Sequence, residues 1–411
     1  MFMLGACGGG GSQELATSPV AMAPQQPPPH SPTHSPTHSP TPPRDSFADT
    51  PAPGSPPGRD GAGPDTAAPL PPPDAEPPPE ELTYTVTVST GDGTRLGEAR
   101  RLASDDAAFR YVGAAPRPWS GDPSFRIADG LASQGLKVSF ATDASLIELR
   151  LLAYGNTQVE IRVDGVPATA TALRLGDDWQ TRVVRLELSG GTRMRQVEVF
   201  GRFMPFGGAW IPPGARVAYP TNEDALPLIA FAPGDSYTQG NGAPSPRRTY
   251  AGVAADLLGH ELWTEGIGGS GWLSAGPQSP TSRITTTLGR LNKPPAVIVT
   301  ALGFNDRFRD LDEVARVYDA SVAMIRQAWP QARLVTLGPW TPQGATRETA
   351  AMRETLMRRA AANAVDFVDL DGIVTQENST RYTDSDGVHP NAAGHQRLGE
   401  TIAERLRAVI R

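Results

Sequence analysis

The alternation of apolar and polar positions changes character near residue 226. Before that point, short segments alternate apolar and polar residues, as half-buried β-strands do. Turn residues such as Asp164-Gly165 separate these segments. Short strands at this spacing, without helical periodicity, predict an antiparallel β-sandwich. The predicted strands are 82–90, 136–140, 146–154, 157–163, 181–188 and 195–203.

From Leu226 onward, apolar strand-like runs alternate with segments of helical pattern. Five such strands with helices between them predict a parallel sheet covered by helices on both faces. We therefore predict an α/β fold with a three-layer, doubly wound, five-stranded parallel sheet, preceded by the antiparallel β-sandwich. Ligands of such sheets bind beyond the carboxyl ends of the strands.

Composition divides the chain further. Its 42 prolines and 43 glycines are unevenly spread, and residues 8–81 contain hardly any bulky apolar side chains. Such a stretch cannot offset its ordering entropy, so we expect a disordered linker. Three HSPT repeats within this stretch are more typical of a low-complexity linker than of a histidine metal site. The predicted organisation is an N-terminal segment (1–81), a β-sandwich domain (82–205), a linker (206–225) and an α/β domain (226–411).

Charge and cysteine content exclude several classes of function. The net charge is −7 and no basic block is present, so we expect no nucleic-acid partner. No apolar run approaches the roughly 20 residues of a membrane span. Cys7 is the single cysteine, which excludes intrachain disulfides and cysteine metal sites.

Cys7 ends the run Leu4-Gly5-Ala6-Cys7, which resembles a bacterial lipobox. A lipobox cysteine carries lipid after signal-peptide cleavage, and the Pro-rich stretch behind it would serve as a tether. Only six residues precede Cys7, fewer than a signal with a basic start and an apolar core needs. Either the start lies upstream or the match is chance. We expect an exported protein, secreted or tethered to the cell envelope through Cys7.

Short polar motifs lie at the ends of the predicted parallel strands or directly before the last helix. All fall at one edge of the sheet, where side chains from different loops can meet. The motifs are Gly234-Asp235-Ser236, the glycine cluster 266–271, Gly303-Phe304-Asn305-Asp306 and Asp386-Gly387-Val388-His389-Pro390.

Ser236 is a candidate nucleophile. A serine hydroxyl is a weak nucleophile and needs a base within hydrogen-bond reach. Beyond the N-terminal segment, His260 follows a predicted helix and His395 lies inside the last one, so both are predicted to be structural. His389 is left as the base, and Asp386, three residues away, can hold its tautomer and stabilise the imidazolium.

The ordered set of motifs resembles the SGNH hydrolases, the GDSL esterase and lipase superfamily, over roughly residues 226–411. The resemblance implies a catalytic triad of Ser236, His389 and Asp386, with no cofactor and no metal. It also implies an acyl ester as the substrate.

The resemblance further implies an oxyanion hole with three donors. They are the backbone N–H of Ser236, a backbone N–H of the glycine cluster and the side-chain amide of Asn305. Gly269 corresponds best to the glycine, and Gly268 is the alternative. The remaining acidic residues of these motifs are predicted to brace loops: Asp235 and Asp306.

The substrate is less well defined by the sequence. A β-sandwich before an SGNH domain resembles carbohydrate esterase family 2, which favours acetyl or other short acyl esters of a carbohydrate. Trp272 and Trp340 follow strands and are candidates for stacking on sugar rings, with ordinary loop packing as the alternative. Other functions left open are a lipase, lysophospholipase or arylesterase, and a catalytically idle glycan-binding protein. The oligomeric state stays open as well.

Overall fold

A computed structural model describes residues 83–113, 116–127, 135–155, 157–189, 193–220 and 226–410. These residues belong to one compact unit. The predictions for the N-terminal segment and Cys7 lie outside them. None of the helices in these ranges is long and apolar enough to cross a membrane.

The first part of the described chain contains two antiparallel sheets that share one apolar core. Alternate residues of each strand face that core, for example Val159 and Ile161. The first sheet contains, in neighbour order, β1 (Tyr84–Thr90), β11 (Thr181–Leu188), β7 (Leu146–Leu152), β13 (Phe206–Ile211), β5 (Arg126–Ile127) and β4 (Arg117–Pro118), with β2 (Arg100–Leu102) paired to β13. The second contains β10 (Leu173–Gly176), β8 (Thr157–Val163), β12 (Arg195–Arg202), β6 (Gly135–Thr142) and β14 (Val217–Ala218), with β3 (Arg110–Val112) paired to β6 and β9 (Val166–Pro167) paired to β8.

The structure corrects the predicted linker 206–225. Strand β13 lies in the middle of the first sheet, between β7 and β5, and β14 extends the second sheet. Gly207 and Gly208 suggest a turn in the sequence, yet Phe206 joins the sandwich core. Gly208 has φ +94°, and a Cβ there would lie 2.1 Å from the carbonyl oxygen of Leu102. The glycines therefore permit close strand packing, and the sandwich extends to Ala218.

The second part of the chain confirms the predicted five-stranded parallel sheet. The second of its strands in chain order lies at the edge of the sheet, next to the first. Side chains of β15 alternate between two cores: Ile229 and Phe231 pack with one helix layer, Leu228 and Ala230 with the other. The strands, in neighbour order, are β16 (Glu261–Gly266), β15 (Leu228–Gly234), β17 (Pro295–Ala301), β18 (Arg333–Leu337) and β19 (Asp366–Val368).

Helices cover both faces of this sheet, as the prediction required. Helices α2 (Tyr250–Leu258) and α7 (Ala392–Val409) share the core on one face. The other face carries α3 (Pro280–Thr286), α4 (Leu311–Ala328) and α5 (Arg347–Ala362). Two one-turn helices, α1 (Ser236–Gln239) and α6 (Ser379–Tyr382), lie in loops.

The outer face of the second sandwich sheet is charged and packs against the α/β domain. Glu261, buried at the start of β16, accepts two hydrogen bonds from Arg110 at 2.6 and 2.8 Å. Lys137 and Lys293 lie 3.4 and 3.2 Å from the same carboxylate. Burial opposes ionisation, but these cations lower the pKa of Glu261 overall. Buried charges need partners at fixed positions, so this contact defines how the two halves of the unit fit together.

Candidate active site

Ser236 is the first residue of α1, and only Asp235 separates it from the end of β15 at the carboxyl edge of the parallel sheet. Asp235 caps the helix, accepting a hydrogen bond from the amide of Tyr237 at 3.0 Å, and burial raises its pKa to about 7. The turn into α1 is sharp, because a Cβ on Gly234 would lie 2.2 Å from the Thr238 hydroxyl oxygen. Ser236 is 8% exposed, so only a small part of it faces solvent.

The glycine cluster after β16 lies beside Ser236. A Cβ on Gly268 would lie 3.9 Å from the Ser236 Cβ. Gly269 has φ +75° and borders open space, since no atom lies within 4 Å of an added Cβ. The Ser270 hydroxyl donates to the carbonyl of Gly234 at 3.2 Å and ties the cluster to β15. Gly268 thus lies beside Ser236, and Gly269 follows it at a position with open space on its Cα.

Asn305 lies in a 3₁₀ turn that follows β17. Its Nδ2 donates to the carbonyl of Ser270 at 2.8 Å, which holds the amide against the glycine cluster. Asp306 accepts hydrogen bonds from the amides of Trp272 and Leu273 at 2.7 and 3.1 Å. Asp306 therefore braces the glycine loop, as the sequence predicts.

Asp386 and His389 are joined by the loop that carries both. The Nδ1–H group of His389 donates to Asp386 Oδ2 at 2.5 Å. Asp386 Oδ1 accepts from the amides of Val388 and His389, both at 2.9 Å. Although desolvation acts in the opposite direction, these hydrogen bonds lower the pKa of Asp386 to about 2. An ionised carboxylate on Nδ1 leaves the imidazole lone pair on Nε2.

Asn241 links the loop after Ser236 to the loop that carries Asp386 and His389. It follows α1, and its Nδ2 lies 3.4 Å from His389 Nε2. The ring of Tyr237 packs edge-on against the imidazole with centroids 5.6 Å apart. Within the described residues no hydrogen bond joins Ser236 Oγ to His389 Nε2, so the lone pair faces Asn241 instead. Catalytic hydrogen bonds often align only when substrate binds.

The other two histidines of the described ranges are structural, as predicted. His395 accepts at Nδ1 from the amide of Tyr250 (3.1 Å) and donates from Nε2 to the carbonyl of Asn241 (2.9 Å). Burial lowers the pKa of His395 to about 4, so it is neutral and positions Asn241. His260 bonds the carbonyl of Leu258 at the end of α2. These ranges contain no group of three or more His, Cys, Asp or Glu residues that could hold a metal ion.

Residues 232–397, which contain all of these loops, match the model of the GDSL-like lipase/acylhydrolase family. The α/β domain is an SGNH hydrolase. A search of curated protein sequences finds no match.

Several solved structures share the fold of the sandwich together with the SGNH domain. One is an active-site mutant of a family two carbohydrate esterase from Clostridium thermocellum (TM-score 0.60, 17% identity, 73% of this chain and 98% of that chain). Another family two carbohydrate esterase, from Cellvibrio japonicus, has a TM-score of 0.52 and 15% identity over 80% of this chain and 99% of its own. A salicylyl-acyltransferase from a tetracycline biosynthetic pathway has a TM-score of 0.60 and 18% identity over 77% of this chain and 98% of its own. These structures share only the fold with this chain, and the family match indicates a carboxylic ester hydrolase.

The predicted sugar-stacking role of Trp272 and Trp340 is wrong. Trp272 is 1% exposed and packs against Tyr318 of α4, with ring centroids 5.1 Å apart. Trp340 is 3% exposed and packs against Tyr237, with centroids 6.4 Å apart. Because an indole gains most by burying its large apolar area, both rings enter the core of the SGNH domain. Neither presents a face to a ligand.

A groove of about 220 Å³ borders the loop that carries Asp386 and His389. Arg307 lies over the Phe304 ring, with its guanidinium carbon 4.1 Å from the centroid, and over exposed Phe308 at 4.6 Å. Phe304 and Val388 of its lining directly precede Asn305 and His389 in the chain, so the groove borders the loops of the candidate site. Its lining includes Phe304, Arg307, Thr341, Gln343, Thr346 and Val388.

One residue of the sandwich reaches the helix that begins at Ser236. Arg202, at the end of β12, donates from Nη1 to the carbonyl of Gln239, the last residue of α1. Its Nη2 donates to Gln158 Oε1 at 2.9 Å. Burial lowers the pKa of Arg202 to about 10, which leaves it charged at neutral pH.

Sequence reasoning missed both Arg202 and Asn241. Arg202 occupies a polar position of an alternating strand, which normally indicates a solvent-facing side chain. Asn241 carried a usable signal, because Gly240 and Gly242 flank it directly after the nucleophile motif. Such a flanked residue indicates a tight turn beside the nucleophile.

Proposed function

We propose that the protein is a serine esterase that removes acetyl or another short acyl group from a carbohydrate. The observation that carries the proposal is the Asp386–His389 pair, joined at 2.5 Å, with its imidazole against the helix that begins at Ser236. This arrangement supplies a nucleophile, a base whose free lone pair is on Nε2, and a carboxylate that stabilises the imidazolium.

In the proposed reaction, the Ser236 hydroxyl gives its proton to His389 Nε2 as Oγ bonds to the acyl carbon. The imidazole turns from Asn241 toward Ser236 to do this. The oxyanion accepts hydrogen bonds from the Ser236 amide, the Gly269 amide and Asn305 Nδ2. When the C–O bond to the alcohol breaks, His389 returns the proton to the leaving oxygen. Water then releases the acid from the acyl-enzyme by the same steps.

The preference for a short acyl group rests on the space beside the nucleophile. Tyr237, Phe304 and Trp340 line an apolar cavity of only about 20 Å³, room for about one water. A two-carbon acyl group needs little volume, so we assign the enzyme to acetyl and similar esters.

The preference for a carbohydrate alcohol rests on the groove beside His389. The polar side chains of Gln343 and Thr346 line it together with Phe304. Sugars present hydroxyl groups at their edges and C–H groups on their faces, and this lining can contact both. A family two carbohydrate esterase of Clostridium thermocellum with a similar fold was solved in complex with cellohexaose.

A series of p-nitrophenyl esters from acetate to palmitate, followed by acetate release from acetylated xylan and acetylated cellulose oligomers, tests the proposal. We expect kcat/KM to fall steeply beyond butyrate and acetate to be released from at least one acetylated glycan. A maximum at long chains would instead identify a lipase. Turnover of aryl esters without any release from glycans would identify an arylesterase.

We also propose export through a lipidated Cys7, which rests on the Leu4-Gly5-Ala6-Cys7 run alone. Fractionation of cells expressing the full-length protein and a Cys7→Ser variant checks it. The proposal requires membrane association in the first and its loss in the second, while equal soluble fractions would contradict it.

A further inference from the structure

Three aromatic rings form a platform on the surface of the sandwich: Trp119, Tyr154 and Trp179. The two indoles have centroids 5.9 Å apart and planes inclined by 32°. Tyr154 meets Trp179 edge-on at 4.7 Å. Trp179 is 58% exposed, whereas Trp119 and Tyr154 beside it are half-buried. An exposed indole supported by two more rings is unusual for a surface that only faces water.

The loops that carry the platform are fixed by backbone hydrogen bonds. The amide of Trp179 donates to the carbonyl of Ala153 at 2.9 Å, and the Ala153 amide donates to Gln180 at 3.0 Å. The Trp119 amide donates to the carbonyl of Phe125, whose buried ring supports the indole at 6.5 Å. The rings are therefore held in place before any ligand arrives, which reduces the entropy cost of binding.

Trp179 also has a costly backbone conformation. Its φ is +61°, in the left-handed region that bulky residues avoid. Packing of the indole does not offset this conformational free-energy cost, because most of the side chain lies outside the core. Strained residues that persist without a packing gain are concentrated at functional sites. The strain therefore points to a role for the outward-facing indole.

The platform lies at the end of the sandwich that contacts α1. Thr157 Oγ1 lies 2.8 Å from the carbonyl oxygen of Tyr154 and 2.5 Å from that of Phe203. The next residues along these two strands, Gln158 and Arg202, are the pair that reaches the carboxyl end of α1. The platform and the nucleophile helix are thus attached to the same strand ends.

We propose that this platform binds a neutral glycan chain and holds a polymeric substrate beside the active site. The C–H faces of pyranose rings stack on indoles through buried apolar area, and two neighbouring indoles offer a surface for consecutive sugar units. Gln180 and Asp178 border Trp179 and offer polar groups to sugar hydroxyls. The choice of a glycan as the ligand rests on the proposed function. The exposure and backbone strain of Trp179 are observations that hold whatever the enzyme acts on.

Titration calorimetry of the full chain carrying Ser236→Ala, with cellohexaose and xylohexaose as probes, tests the platform without any ester. We expect at least one probe to bind, and Trp179→Ala added to this background to weaken binding about tenfold or more. Trp179→Tyr should retain most of the affinity. The matched control is Val166→Ala, an exposed apolar residue of β9 at the opposite end of β8, which should bind like the parent.

Failure to bind either probe would overturn the proposal, as would equal affinity of the parent and Trp179→Ala. Equal losses in Trp179→Ala and Val166→Ala would also overturn it, because they would mean general damage to the sandwich. A second readout separates this inference from the proposed function. With Ser236 intact, Trp179→Ala should lower kcat/KM on an acetylated polymer and leave p-nitrophenyl acetate turnover unchanged.

Discussion

The loops of the SGNH domain and the end of the sandwich organise their residues in different ways. In the SGNH loops some groups are fixed by residues close to them in sequence: Asp386 accepts from the amides of its own loop, and Asp235 caps the helix it precedes. At the sandwich end, contacts join residues far apart in sequence, such as Arg202 with Gln239 and Trp119 with Trp179. Residues that are held by neighbours close in sequence form motifs that can be recognised in the sequence. Residues that are held by contacts between distant segments do not.

The largest effect expected in the SGNH loops is that of Ser236→Ala. Removing the nucleophile should lower kcat on p-nitrophenyl acetate by about 10⁴-fold or more, because the remaining groups cannot form an acyl-enzyme. The thermal midpoint should stay close to that of the parent, since the side chain makes no described hydrogen bond. Near-normal turnover with a folded variant would place the nucleophile elsewhere.

Asn305→Ala should have the next largest effect. Loss of one oxyanion donor typically costs roughly 10²–10³ in kcat. Asn305→Asp is the matched variant, because it keeps the size of the side chain and removes the donor, and it should lose a similar factor. A change confined to KM would make Asn305 a substrate-binding residue and not an oxyanion donor.

Arg202→Met tests whether the sandwich supports the catalytic helix. Without its guanidinium, the Gln239 carbonyl at the end of α1 loses a charged donor, and a small shift of α1 would misplace Ser236. We expect kcat to fall roughly tenfold with KM nearly unchanged, and Arg202→Lys to recover part of the loss. Arg162→Met is the control, because Arg162 also crosses the interface, to Asp256, without touching α1. Equal losses in both variants would show general loosening of the interface.

His395→Gln should mainly change stability and its dependence on pH. The pKa of His395 is about 4 in the folded protein and 6.5 ordinarily, so between these values the unfolded chain binds a proton that the folded chain does not. Its contribution is therefore complete above pH 6.5 and is lost as the pH falls toward 4, by roughly 3 kcal/mol in all.

Urea unfolding of parent and His395→Gln at pH 4, 5.5 and 7 measures this contribution. Asp235, whose raised pKa works in the opposite direction, is present in both proteins and cancels in the difference. The stability advantage of the parent should grow with pH. A difference that is constant across this range would show that His395 is not held neutral by burial.

The same contrast explains what could be predicted from the sequence. The alternation of apolar runs and helices predicted the parallel sheet, and the motifs singled out Ser236, Asn305 and His389 as candidates, because each signal lies within a few consecutive residues. Trp272 and Trp340 were misjudged because the direction of an indole after a strand depends on the helices that pack there. Strand β13 was missed because its two glycines look like a turn when the close approach of β2 is unknown.

Covalent labelling tests the central claim most directly. Diisopropyl fluorophosphate phosphorylates an activated serine oxygen with loss of fluoride, and it requires the base that activates the serine. We expect intact-mass and peptide analysis to find one adduct, on Ser236, and to find none in a His389→Ala variant. An unlabelled parent, or an adduct on another serine that persists in Ser236→Ala, would contradict the assignment of Ser236, His389 and Asp386 as the catalytic groups.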